Sequence, residues 1–141
     1  MIQNLRTISA VVFLLIFFAC NADVPDGNWD DNIKLSTRTL NFSSEASSEL
    51  ITTQGNWWWI SEIAFDNNDF DISGIETDQD SFLIQAPQFT IERNNETELS
   101  VSLTENRSAS ERILMIHLQA GDYFDAIEIK QAGNQIKTEL P

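Results

Sequence analysis

Leu99, Val101 and Leu103 alternate with Ser100, Ser102 and Thr104, and this period of two recurs through most of the chain beyond residue 33. A strand sends successive side chains to opposite faces, so such alternation marks a half-buried strand. Leu40 and Phe42 repeat the pattern, as do Phe70 and Ile72 between Asp69, Asp71 and Ser73. Further strands are predicted at 50–53, 57–65, 82–86, 89–91 and 123–130. Residues 113–118 are apolar on both faces, the pattern of a central strand. Turn formers separate these runs at Gln54-Gly55-Asn56, Asp66-Asn67-Asn68, Ser73-Gly74, Asn94-Asn95, 106–110 and Ala120-Gly121-Asp122. No stretch carries a helical period. The pattern predicts an all-β chain: a single immunoglobulin-like antiparallel β-sandwich over residues 33–133, with 134–141 as a C-terminal tail.

The first residues follow a different pattern. Arg6 is followed by an apolar run over 8–19 that ends Phe17-Phe18-Ala19-Cys20. A membrane span needs ~20 apolar residues, whereas the core of a secretory signal needs only ~7–15. A basic start, a short apolar core and a small residue before a cysteine read as a bacterial lipoprotein signal. Residues 1–19 are therefore expected to be removed and Cys20 lipidated, which makes the outer membrane a partner through the anchor. Residues 20–32 contain Pro25, Gly27, Asp23, Asp26, Asp30 and Asp31, with only Val24 and Trp29 as large apolar groups. Such a segment buries too little to order itself and reads as a flexible acidic leash with a mean reach of ~20 Å.

Charge narrows the partners. The chain holds 22 Asp and Glu against 8 Lys and Arg, a formal net charge of −14 at pH 7. Nucleic acid is excluded, because phosphate binding needs a basic face. No Lys or Arg lies between Arg38 and Arg93, so one region of the domain should carry a negative field. With one cysteine and one histidine, Cys/His metal sites and internal disulfides fall away. His117 is the sole imidazole for any catalytic pair, and acids are too abundant for one carboxylate pair to stand out. The expectation is a non-catalytic protein.

Two segments could bind something. In Trp57-Trp58-Trp59 the side chains must alternate. Trp57, Trp59, Ile63 and Phe65 share the more apolar face and are assigned to the core; Trp58, Ile60, Glu62 and Ala64 share the other. Trp58 then points outward, where it offers a flat apolar surface for a sugar or a partner protein, with Glu62 beside it. Alternatively, the long segment 60–88 folds over Trp58 and buries it. The second segment spaces oxygens as a calcium loop does: Asp69, Asp71, Ser73, Thr77 and Asp80 at positions 1, 3, 5, 9 and 12, with Gly74 at 6. The competing reading is a hairpin that turns at Ser73-Gly74 with Phe70 and Ile72 inward. Apart from calcium, no cofactor is called for.

Leu99–Asn106, then Ser108, Ser110, Arg112 and the apolar 113–118, resemble a strand, turn and strand of the BACON domain, a module of Bacteroidetes surface proteins. Ile127-Glu-Ile129-Lys-Gln131-Ala-Gly133 resembles its closing strand, and Leu40–Phe42 and Trp57–Trp59 fit its first half more loosely. The resemblance covers roughly residues 35–133, and the segment 60–88 is longer than the family's. It implies an immunoglobulin-like sandwich with a role in carbohydrate or mucin binding, or as a spacer. It brings no set of ligand residues. The function expected from residues and resemblance together is a lipid-anchored surface domain that contacts glycan through exposed aromatics. The alternative is a structural or assembly lipoprotein that holds a partner protein at the outer membrane. Asp23 and Asp26, close behind Cys20, lean toward the cell surface but leave the periplasmic face open.

Overall fold

In the computed structural model, which describes residues 30–135, two sheets pack face to face around one apolar core. Cys20, the signal, most of the leash and residues 136–141 lie outside the described residues. The strands are β1 (Thr39–Phe42), β2 (Ser47–Thr52), β3 (Trp59–Phe65), β4 (Asn68–Asp69), β5 (Phe82–Gln85), β6 (Phe89–Asn95), β7 (Glu98–Leu103), β8 (Arg112–Ala120) and β9 (Tyr123–Gln131). One sheet has the order β1-β9-β8-β3-β4 and the other β2-β7-β6-β5. The chain is all-β, as the alternation predicts, and β8 is the central strand of the larger sheet. One pairing departs from the antiparallel expectation: β1 runs parallel to β9, with Leu40 opposite Ile129. A parallel neighbour needs a long connection, and here nearly the whole domain lies between the two strands.

The core is built by the inward positions of both sheets. Ile51, Ile84, Phe89, Ile91, Leu99, Val101 and Leu103 come from the smaller sheet, and Ile60, Ile63, Leu114, Ile116, Leu118, Ile127 and Ile129 from the larger. Each such side chain stabilises the fold by about 1.5–3 kcal/mol on burial. The turn at Asp66-Asn67 places both residues at positive φ, 51° and 61°, the geometry of a two-residue hairpin turn. The Asp66 carboxylate also accepts from the Ile113 N–H at 2.8 Å and so ties that turn to β8.

Residues 70–81 form no strand, so the predicted hairpin at Ser73-Gly74 is replaced by an irregular crossing from one sheet to the other. Phe70, Ile72 and Ile75 still pack against the core, with the Phe70 and Phe89 rings edge to face at 5.1 Å. The start of the domain is also tied down. Asp31, counted in the leash by composition, accepts from the Ile33 and Lys34 N–H groups and pairs with Arg38, which grips Asp125 with two hydrogen bonds. Ile33 is fully buried two residues later.

Three residues of the family resemblance, Asn106, Gln131 and Gly133, gather at the end of the sandwich away from Asp31. Asn106 is buried. Its amide donates to the Ser110 and Ala132 carbonyls at 2.8 and 3.0 Å, and its oxygen accepts from the Ser108 N–H and hydroxyl. Buried Gln131 donates to the Glu45 and Thr104 carbonyls and accepts from Arg112. A Cβ on Gly133 would sit 2.2 Å from the Ala109 carbonyl oxygen, so only glycine fits. These residues knit loops to strands.

Candidate functional site

The tryptophan triplet is where sequence and structure part. Trp58 is 2% exposed and Trp57 is 71% exposed, the reverse of the expected assignment. The cause is a bulge in β3. Against β8, Ile60 pairs with Leu118, but the next register pair is Glu62 with His117. One extra residue at Ser61 therefore reverses the alternation, as any one-residue slip does. Ile63 and Phe65 point inward as expected. Upstream of the bulge the inward residues are Ile60 and Trp58, and Trp57 and Trp59 turn outward. Trp58 presents no face to a ligand. Its indole N–H donates to the Thr53 hydroxyl at 3.1 Å inside the core.

The group that covers the Trp58 ring is Arg93 of β6. Phe89, Ile91 and Arg93 occupy successive inward positions of β6, so a cation is driven into the interior. Arg93 is 1% exposed, and its guanidinium lies over the Trp58 ring at 3.8 Å. Each of its five N–H groups meets a main-chain carbonyl. Nε donates to Asn95, Nη1 to Trp58 and Gln79, and Nη2 to Asn56 and Glu96. Burial pushes this guanidinium below its ordinary range, while Asp80, Glu96 and Asp78 nearby favour its charge. Sequence reasoning missed Arg93, although its place in the Phe89, Ile91, Arg93 alternation was the available signal.

Arg93 fixes the chain on both sides of Trp57 and, through Gln79, the segment that faces it. Between them runs an open groove of about 420 Å³ lined by Trp57, Trp59, Ile75, Glu76, Thr77 and Asp78. Trp57 and Trp59 stand edge to face, 5.8 Å apart with ring planes at 73°. Thr77 is buried and donates its hydroxyl to the Ile60 carbonyl at 2.7 Å, which pins the far wall to β3. Glu76 and Asp78 flank it and are exposed. Beyond the groove, the outward row of the larger sheet continues from Trp59 through Gln119 to Phe124, which is 64% exposed. Glu62 lies on the same outer face opposite His117, exposed and one row away from the tryptophans.

The calcium arrangement is not assembled. Thr77 is buried with its hydroxyl turned to the Ile60 carbonyl, the Asp71 carboxylate accepts from the Ser73 N–H at 2.8 Å, and Asp69 belongs to β4 on the sheet edge. The Ser73 hydroxyl and then its N–H hold the Asp71 carboxyl below the usual range. Among the described residues no three acids come close enough to hold a metal ion. The spacing suits a loop closed around one ion, but residues 70–81 turn twice, at 73–74 and 77–78, as they cross from one sheet to the other.

No protein-family model and no curated protein matches the chain. Among solved structures it is similar to the NMR structure of a protein from Bacteroides thetaiotaomicron, with a TM-score of 0.63 and 20% identity. The match covers 82% of this chain and 98% of that one. At that identity the likeness concerns the fold alone.

Proposed function

We propose that this protein is a lipid-anchored, non-catalytic sandwich of BACON type that contacts glycan through Trp57 and Trp59. The observation that carries the reading is the pair of outward indoles set edge to face beside Glu76 and Asp78. Indole faces stack on the apolar faces of sugar rings, and carboxylates accept hydrogen bonds from sugar hydroxyls. The groove is open and walled on two sides, which suits a chain passing along it rather than a small molecule enclosed by protein. The anchor rests on the pattern that ends at Cys20, and the module type on the residues from Leu99 to Gly133.

A glycan array with the wild type and Trp57→Ala tests the reading. Binding by the wild type that the variant loses supports it; no binding, or equal binding by both, overturns it. The exposed ring of Phe124 favours a second reading, in which the same face docks a partner protein at the outer membrane. Capture from native membranes that depends on Phe124 and is indifferent to added glycan would mark that case.

A further inference from the structure

We infer that the groove selects glycans bearing a free amine and disfavours acidic ones, a proposal that rests on the glycan reading above. Among the described residues the groove lining contains two carboxylates, Glu76 and Asp78, and no Lys, Arg or His. Arg93, the arginine behind it, is buried with all five N–H groups already donated to carbonyls. It has no donor left for a bound anion. The chain supplies no other cation from residue 39 to residue 92. A sialic acid, uronic acid or sulfate group in the groove would meet two like charges and no cation.

The same geometry favours an ammonium. The face of an indole carries negative potential and attracts cations, and two indoles, Trp57 and Trp59, line the groove. Glu76 and Asp78 stand on the opposite wall as acceptors. The Thr77 hydroxyl has its hydrogen committed to Ile60, so the carboxylates dominate hydrogen bonding from that side, and they can only accept. An ammonium donates three hydrogen bonds and carries the complementary charge. The net charge of −14 adds attraction at longer range.

The test is titration calorimetry on the full chain with three oligosaccharides of equal length: an N-acetylglucosamine oligomer, its de-N-acetylated counterpart and an acidic counterpart built of uronate. At low salt the amine form should bind roughly tenfold more tightly than the acetylated form, and the acidic form more weakly than either. The gap should narrow at high salt, where the screening length falls to ~3 Å. It should also close in the double variant Glu76→Gln, Asp78→Asn. Acidic binding as tight as neutral binding overturns the inference, as does an amine preference that survives the double variant. Binding of the acetylated oligomer without an amine preference overturns this inference alone. Binding of none of the three overturns the glycan reading with it.

Discussion

The Arg93 guanidinium stacks on the Trp58 ring at 3.8 Å and donates to the carbonyl of that same residue at 2.9 Å. The two side chains are buried together, and among the described residues no carboxylate is in direct contact with the cation. Five carbonyl dipoles and one π face meet the cation directly, and Asp80, Glu96 and Asp78 support its charge from further away.

Replacement of Arg93 should therefore be severe. Arg93→Met leaves five carbonyls in search of partners, and a buried unsatisfied polar group costs about 1–3 kcal/mol. Allowing for water entering the rim, a total loss of ~3 kcal/mol or more is expected. Arg93→Lys restores charge and up to three donors, so it should recover part of that loss. Urea unfolding monitored by circular dichroism would measure both. A loss below ~1 kcal/mol for the Met variant would show that the five bonds are not what holds these loops.

The two neighbouring tryptophans should respond in opposite ways. Trp58→Ala empties a core site and is expected to cost ~3–5 kcal/mol. Trp57→Ala should change stability by no more than ~0.5 kcal/mol, because most of the ring is already in water. Acrylamide quenching of the single Trp→Phe variants gives an independent check. Loss of Trp57 should remove a strongly quenched emitter, and loss of Trp58 should remove a protected one.

Asn106 holds the opposite end with two donated and two accepted hydrogen bonds. Asn106→Ala should cost about 2 kcal/mol, because the Ser110 and Ala132 carbonyls lose their donor. Asn106→Asp should cost more, since its second carboxylate oxygen would face those carbonyls. Thermal melts rank the two, and an Asp variant as stable as the wild type would contradict the assigned network.

Asp31 carries a pH dependence. Burial works to raise its carboxyl, but the N–H groups of Lys34 and Ile33 and the Arg38 guanidinium outweigh that effect and hold it below the usual value. The unfolded chain then binds the proton more readily, so the stabilisation is complete above the ordinary carboxylate value of about 3.9 and is lost as pH falls through the folded value. The melting temperature of the wild type should exceed that of Asp31→Asn at pH 7, and the gap should shrink by pH 3. A gap that stays constant over this range would assign the effect to shape rather than charge.

Period-two alternation carried most of the strands into view because one face of each sheet is wet and the other dry. It failed at Ser61, where a bulge reverses the phase. Nothing local distinguishes Trp57 from Trp59 or Trp58, so the downstream residues Ile63 and Phe65 set the wrong parity upstream. It failed again at residues 70–81, where Phe70 and Ile72 alternate correctly but pair with no strand. The parallel partnership of β1 with β9 joins residues some ninety positions apart, and no local pattern encodes it. Half of the groove was visible as unusual residues, the tryptophans. The other half, Glu76 to Asp78, becomes a wall only because Thr77 reaches Ile60 and Gln79 reaches Arg93.

Asp31 and the groove share one end of the sandwich. Asn32 lies against Gly55, where an added Cβ would fall 1.9 Å from its carbonyl oxygen, and Trp57 follows two residues on. Gln135 reaches Ala109 at the other end, roughly the length of β7 away, or ~20 Å. The domain is thus polar in the way it can be mounted. Capture on a sensor chip by its carboxyl-terminal side would leave the tryptophans facing the flowing sample. Capture through the side that precedes Asp30 would bring them toward the support, so that mounting needs a spacer at least as long as the ~20 Å reach of a thirteen-residue flexible leash.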